Sequence, residues 1–231
     1  MNIFFLSICP TLCAALHADV HVNKMITETT QLLYSVWTMI YGKPPPLLKQ
    51  YFAEHPVTPT QEKTYGLKYA QPKGLSNPNH PCAKWARHKK EHYDWLCRLG
   101  LELCKRKREI YNKKPPHSCE IHIKILQQAG FPGGPTPPIP TVNVATKGIH
   151  PTFDYVALAG PKKYDHAVKA YRYFYAKTKI VESLKPKDVR TFKVNIYYNK
   201  QRVYPKKLRK HIKKAIKHEQ KQGRLANEIT I

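Results

Sequence analysis

Apolar residues in the first part of the chain recur at the spacing of a helix. A short apolar run occupies positions 3–6, and from Pro10 to Tyr41 large hydrophobic residues return every three or four positions, as in an amphipathic helix. Proline is tolerated in the first turn of a helix, and the prolines at 44–46 stop the pattern. We therefore predict one long helix from Pro10 to Tyr41, preceded by a buried strand or an extended segment.

Comparable patterns predict further helices downstream. A basic amphipathic helix follows Pro81, with Asn79 or His80 as its cap. Its interior glycine, Gly100, costs about 1 kcal/mol relative to alanine, which indicates a close approach of another helix. Other helices are predicted at 46–54, 118–128 and 164–178, and the long Pro-rich segments 43–79 and 131–140 are predicted to lie on the surface.

The chain changes character after Ser183. Alternating apolar residues predict a β-hairpin over 192–204, and a basic helix with one apolar line is predicted over 205–222. From Ser183 onward fifteen basic residues accompany three acidic ones. We therefore expect a mainly α protein: a single helical domain of about four principal helices at 1–182, followed by a basic hairpin–helix arm at 183–231.

The charge balance indicates a polyanionic partner. The chain has 40 Lys and Arg residues against 15 Asp and Glu, a formal net charge of +25, and 42% hydrophobic residues exclude a disordered polyelectrolyte. This excess favours nucleic acid first and an anionic membrane surface second. Fifteen tyrosines offer aromatic faces that stack on bases. No apolar run is long enough to span a bilayer, so no stable membrane insertion is expected.

The cysteines and the N-terminal region bear on the compartment. Six cysteines lack the spacing of a disulfide framework, so we expect free thiols in a reducing environment. The first 18 residues resemble the apolar core of a signal peptide, but no Lys or Arg precedes the apolar run and Pro10 interrupts it. We expect an intracellular protein that is not secreted, with a cleaved signal as the alternative.

A file of polar residues runs along the first predicted helix. His21, Lys24, Glu28 and Gln31 are three or four positions apart, which places them on one face. An imidazole, an amine and a carboxylate in line are capable of acid–base chemistry. The alternative is a solvated Lys24–Glu28 ion pair, worth a few tenths of a kcal/mol.

Three groups of residues carry a family resemblance. They are Pro10, Ala14-Ala15, Asp19 to Glu28 and Gln31-Leu32-Leu33; Asn79-His80-Pro81-Cys82, Trp85, Tyr93 and Trp95-Leu96; and Tyr164-Asp165 with Ala170-Tyr171-Arg172. In most of residues 1–180 the chain thus resembles a family of largely uncharacterised phage and large-DNA-virus proteins, and the arm lies outside the resemblance. The first helix is in turn similar to that of the phage pyrimidine-dimer DNA glycosylases, which carry an Asp-x-His pair and a catalytic Glu seven residues after the His.

This resemblance implies a viral DNA-repair protein, a glycosylase and AP lyase acting on double-stranded DNA. In those enzymes the N-terminal α-amine attacks C1′ of a flipped-out nucleotide and the Glu transfers protons. The resemblance assigns these roles to Glu28 as general acid/base, with His21 as its neighbour. The amine would belong to Met1, because Asn2 is bulky enough for the initiator methionine to stay. Lys24, on the face of Glu28, is the alternative nucleophile, and no cofactor is expected.

Basic residues are the candidate phosphate ligands. They are Arg87, His88, Lys89 and Arg172 in the helical domain and Lys206, Lys207, Arg209, Lys210, Lys213 and Lys214 in the arm. A different class remains open: a non-enzymatic nucleic-acid-binding or virion structural protein with viral assembly partners. Either protein would work in the host cytoplasm or nucleus, or be packaged in the virion.

A metal-dependent nuclease is a third alternative. Two histidine pairs have the spacing of one helical turn, and a shorter cluster follows later in the chain. They are His17/His21, His88/His92 near Cys82 and Glu91, and His117 with Cys119 and His122. Since the chain has neither HExxH nor CxxC, no metal ligands are predicted.

Overall fold

Helices follow one another along the chain in nearly the order that the apolar patterns predict. A computed structural model describes residues 3–66, 68–75, 77–111, 115–133, 161–181 and 206–222. Within these ranges the chain is mainly helical and contains no strand, which confirms the fold class. The helices are α1 (Pro10–Ala15), α2 (Asp19–Tyr41), α3 (Pro46–Glu54), α4 (Pro59–Tyr65), α5 (Pro81–His88), α6 (Lys90–Tyr111), α7 (Cys119–Ala129), α8 (Pro161–Tyr175), its π-helical continuation (Ala176–Val181) and α9 (Lys206–Lys221).

Some predicted features lie outside the described residues, and one prediction concerns membrane insertion. The hairpin predicted over 192–204 lies outside the described residues, as does Met1. Among the helices that the structure does describe, none combines the length and the apolar character needed to cross a bilayer.

Tertiary contacts interrupt two of the predicted helices. The first becomes α1 and α2, since the N–H of Ala18 donates to the Tyr175 hydroxyl at 2.8 Å instead of continuing the helix. The second becomes α5 and α6, because the ring of His92 donates to the Trp85 carbonyl at 2.7 Å. In an unbroken helix that carbonyl would accept from the N–H of Lys89.

Helices α2 and α6 lie antiparallel at the centre of the core. Arg106 of α6 lies 3.4 Å from the carboxylate of Asp19 at the start of α2. Toward the other end, the indole N–H of Trp37 donates to the hydroxyl of Tyr93 at 3.0 Å. The exposed face of α2, which carries Lys24, therefore lies opposite the side that packs on α6.

Gly100 lets α6 approach both α2 and α7. A Cβ at this position would lie 2.8 Å from Cδ1 of Ile123 in α7 and 3.0 Å from Cγ2 of Thr29 in α2. Such distances are too short for a side-chain carbon, so the glycine is required by packing. The close helix–helix approach predicted at Gly100 is confirmed.

The N-terminal segment is buried in this core without forming a strand. Residues 3–7 are all buried. Side chains from other helices donate hydrogen bonds to backbone carbonyls of this segment. Arg172 of α8 donates through Nε to the Leu6 carbonyl at 2.7 Å, and the Trp95 indole donates to the Ile8 carbonyl at 2.6 Å. The burial predicted for this apolar run is confirmed, but the run contains a tight turn in which the N–H of Leu6 donates to the Phe4 carbonyl at 2.9 Å.

Helix α9 of the arm packs against the helical domain. Ile212, Ala215 and Ile216 are buried and belong to the same hydrophobic core as α2 and α6. They contact α8 and its π-helical continuation. The α9 helix is thus attached through an apolar face, in the manner of any amphipathic helix of a globular core.

Candidate functional site

Glu28 and Lys24 form an ion pair whose two members differ in exposure. The Lys24 ammonium nitrogen lies 3.6 Å from Oε1 of Glu28. The Lys24 side chain is 70% exposed, whereas that of Glu28 is 15% exposed. The carboxylate is therefore largely enclosed by protein, while the ammonium group extends into water.

Helix α5 packs on α2, and the charge of Glu28 acts on His80 and Cys82 at the start of α5. His80 caps this helix, because its Nδ1 accepts the N–H of Cys82 at 3.1 Å; His80 was one of the two predicted caps. Burial lowers the pKa of His80, and the negative charge of Glu28 opposes that shift. A carboxylate near a helix N-terminus is also favoured by the helix dipole.

Cys82 is a neutral thiol beside the same carboxylate. Burial raises the pKa of Cys82 to about 11, and the charge of Glu28 acts in the same direction. At neutral pH the thiol therefore stays protonated, and Cys82 is not an activated nucleophile. Its sulfur instead accepts a hydrogen bond from the backbone N–H of Ile3 at 3.3 Å.

This contact packs the N-terminal segment against the start of α5. Residues 3–7 are all buried, as the apolar run predicts. The charge of Glu28 acts on Cys82, whose sulfur is the group that Ile3 contacts.

His21 is held by a residue that the sequence did not single out for chemistry. Nδ1 of His21 lies 3.0 Å from the hydroxyl of Tyr175, which also accepts the N–H of Ala18 at 2.8 Å. The Tyr175 hydroxyl therefore joins the backbone at the start of α2 to the ring of His21. In the sequence Tyr175 is only one of several aromatic residues on the apolar side of its helix, so no local signal identifies it.

Asp19 serves a different part of the structure from His21 and Glu28. Its carboxylate pairs with Arg106 at 3.4 Å, and its carbonyl accepts the hydroxyl of Tyr111 at 3.4 Å. Both partners belong to the end of α6. The three motif residues thus share a helix but have separate neighbours: α6 for Asp19, Tyr175 for His21, and α5 for Glu28.

The phosphate ligands predicted in the helical domain have structural contacts. Arg87 donates to the carbonyl of Pro78, and Arg172 to that of Leu6. His88 is 6% exposed and Lys89 is half-buried at the junction of α5 and α6. An arginine has five N–H donors, and a hydrogen bond to one carbonyl uses one of them.

The predicted ligands of the arm lie on a single helix. Arg209, Lys210, Lys213 and Lys214 are exposed on α9. Lys206 and Lys207 belong to its first turn, and their side chains lie outside the described ones. Unlike the arginines of the helical domain, the exposed residues of α9 extend from the surface of the molecule.

Histidines proposed as metal ligands are neutral core residues. His17 bonds the Cys13 carbonyl at 2.8 Å, and His92 stacks on Trp85 with ring centroids 4.3 Å apart. Burial lowers the pKa of each of these histidines to about 4. In the described part of the chain, no three His, Cys, Asp or Glu residues are grouped to hold a metal ion.

The cluster of His117, Cys119 and His122 is also held by hydrogen bonds. His122 lies between the hydroxyl of Tyr34, at 2.7 Å from Nδ1, and the carbonyl of Tyr69, at 2.6 Å from Nε2. His117 accepts the N–H of Cys119 at 3.1 Å. These histidines connect α2, α7 and the loop around Tyr69.

Comparison of the chain with protein-family models, curated proteins and solved structures found no match.

Proposed function

We propose that the protein is a viral DNA-repair enzyme, a glycosylase and AP lyase that acts on double-stranded DNA. The N-terminal α-amine is the nucleophile and Glu28 the general acid/base. One observation carries this proposal: the N–H of Ile3 bonds Cys82, whose thiol lies in the field of Glu28. The buried segment that contains Ile3 and the carboxylate of Glu28 therefore both adjoin Cys82, at the start of α5.

An α-amine suits the reaction better than Lys24. The ordinary pKa of an α-amine is about 8 and that of a lysine about 10.4, so near neutral pH far more of the α-amine is uncharged. Lys24 is also 70% exposed and paired with Glu28, and pairing with an anion stabilises an ammonium group. Both features favour the α-amine as the attacking group.

The chemical steps follow from these two groups. The neutral amine attacks C1′ of a flipped-out nucleotide, and the C1′–N bond breaks with its electron pair leaving on the base, which takes up a proton. The attached amine then loses a proton, and its lone pair expels O4′ from C1′, so that the sugar ring opens, O4′ takes up a proton and an iminium forms at C1′. Removal of a proton from C2′ then expels the 3′-phosphate by β-elimination. A carboxylate at Glu28 can stabilise the sugar cation and transfer these protons.

Borohydride trapping tests the proposal. Borohydride reduces an iminium to a stable amine, so incubation of the full chain with duplex DNA containing an abasic site is expected to give a covalent adduct. A Glu28→Gln variant is expected to trap at least about 100-fold more slowly, whereas a Glu62→Gln control on exposed α4 traps normally. Absence of an adduct while the protein binds the duplex would contradict the proposal, as would equal rates for the two variants.

A non-enzymatic nucleic-acid-binding or virion structural protein is the second candidate. The exposed cations of α9 favour it, because they need no reaction at Glu28 to bind DNA. Duplex binding without any adduct would select this candidate. Cleavage that is abolished by a chelator would instead identify a metal-dependent nuclease.

A further inference from the structure

The apolar side of α9 is already occupied by the protein. Ile212 and Ala215 are 0% exposed and Ile216 is 4% exposed, and they pack on α8 and its π-helical continuation. A helix that lies in a membrane interface must bury its apolar face among lipids. Among the described side chains of α9, the packing removes the apolar ones from the surface, so those that face outward are polar.

The outward side of α9 is cationic along its whole length. Its exposed basic residues recur at each turn: Arg209, Lys210, Lys213, Lys214, Lys217 and Lys221. The one acidic residue of the helix, Glu219, is 1% exposed, with Lys177 at 3.9 Å and Nδ1 of His218 at 3.2 Å. No carboxylate of α9 therefore lies among the exposed cations to neutralise them.

Helix α8 adds to the same surface. Lys169 is exposed on α8, and the Lys214 ammonium group lies 5.5 Å from the ring centroid of Tyr173. Half-buried His211 lies amid cations of both helices: burial lowers its pKa, and the charges of Arg172, Lys210, Lys214 and Lys169 lower it further. The basic residues of the two helices are thus close enough to act on one group.

We propose that the outward side of α9, together with Lys169 and Arg172 of α8, is one binding surface for the phosphate backbone of duplex DNA. From Arg209 to Lys221 the helix rises about 18 Å. One strand of B-DNA places a phosphate every 3.4 Å or so along its axis, so this length accompanies about five phosphates. The surface holds the duplex without reading its sequence, since phosphate contacts position a protein and do not specify bases.

This inference names the means by which the proposed enzyme holds its DNA, but it depends on the packing of α9 and not on Glu28. The α8 helix links the two regions, because Tyr175 at its end bonds His21 on α2. Helix α8 therefore contacts both α9 and, through Tyr175, the helix of the candidate site.

Salt dependence of duplex binding tests the surface. The variant K210A/K213A/K214A/K217A is compared with K43A/K49A/K63A/K68A, which removes the same charge from exposed positions elsewhere. Fluorescence anisotropy with a labelled 20-base-pair duplex from 0.05 to 0.2 M salt gives the slope of log K against log salt. Each phosphate contact contributes about −0.9 to that slope. Loss of four contacts in the α9 variant is therefore expected to make the slope shallower by about 3.6 and to weaken binding at least about tenfold at 0.1 M salt.

The contribution of α8 has its own measurement. Adding Lys169→Ala to the α9 variant is expected to reduce the slope by about one more, whereas no further change would overturn the joint surface. Equal losses for the α9 variant and its charge-matched control would overturn the inference altogether. Circular dichroism verifies that each variant is folded.

Two further outcomes separate this inference from its rivals. The two proposals fail separately. Absence of trapping by the full chain, with duplex affinity that falls in the α9 variant relative to its control, would overturn the enzyme and keep the surface. Trapping by the full chain, with equal duplex affinities of the α9 variant and its control, would overturn the surface and keep the enzyme. Sedimentation with vesicles of phosphatidylserine and phosphatidylcholine tests a membrane role. If the α9 variant lost vesicle binding but kept full duplex affinity, the partner would be an anionic membrane and the inference would be wrong.

Discussion

The environment of Glu28 combines an enclosed carboxylate with a partner that extends into water. Its carboxylate is 15% exposed although its partner Lys24 is 70% exposed. Exposed helix ion pairs contribute a few tenths of a kcal/mol, so the pair does little for stability. Helix α2, which carries Glu28, packs on α5, and Cys82 of α5 accepts the N–H of Ile3. At the scale of single residues, the site therefore depends on how α5 joins the N-terminal segment to α2.

Removal of the Tyr175 hydroxyl tests the support of His21. In Tyr175→Phe the N–H of Ala18, which is 6% exposed, loses its acceptor, and we expect a loss of about 1–3 kcal/mol in the free energy of unfolding. Because His21 also loses its Nδ1 partner, the pH dependence of borohydride trapping should change. Urea unfolding and trapping from pH 5.5 to 8.5 measure both effects. Tyr41→Phe, at a position 58% exposed, is the control, and equal stability of the two variants would contradict the assignment.

At the scale of elements, local sequence predicted the helices but not their interruptions. Periodic apolar residues and the prolines and glycines beside them indicate α3, α7 and α9 closely. The breaks before α2 and after α5 arise from Tyr175 and His92, which reach the backbone from distant or later positions. For the same reason the sequence could align His21 with Glu28 but could not show that Tyr175 and Cys82 are their neighbours. Contacts of this kind have no signature within a helical turn.

Gly100→Ala tests the packing of α2, α6 and α7. Alanine favours a helix over glycine by about 1 kcal/mol, but the added Cβ would lie 2.8 Å from Ile123. We expect the clash to exceed the gain, with a net loss of about 1–3 kcal/mol by urea unfolding. Ile123→Val removes the Cδ1 atom and should restore part of the loss in the double variant. Gly74→Ala, where a Cβ meets nothing within 4 Å, should be nearly neutral; the reverse order of the two variants would refute the packing account.

At the scale of the whole molecule, buried neutral histidines join the helices and make the fold sensitive to acid. His17, His92, His117 and His122 are each buried, and burial lowers the pKa of each to about 4. In the unfolded chain the ordinary pKa is near 6.5. The unfolded chain therefore binds more protons between these values, and stability is complete above about pH 6.5 and is lost as the pH falls toward 4.

The size of this effect can be measured directly. Each histidine contributes up to about 1.4 kcal/mol per pH unit, so four together give a slope of up to about 5 kcal/mol per unit below pH 6. Urea unfolding at pH 7.5, 6.5, 5.5 and 5.0 measures it. His122→Asn should reduce the slope by about a quarter, whereas His55→Asn, at an exposed position, should leave it unchanged. A free energy of unfolding that stays constant from pH 7.5 to 5 would show that these histidines are not neutral in the fold.

The identity of the amine that attacks DNA is the most direct test of the enzyme proposed here. After borohydride reduction with abasic duplex, proteolysis and mass spectrometry identify the residue that carries the sugar. The assignment of the nucleophile to the α-amine predicts the modification on the N-terminal peptide at Met1. An adduct on the peptide containing Lys24 would contradict the assignment of the nucleophile. Absence of an adduct on both peptides would contradict the proposed glycosylase and AP lyase reaction.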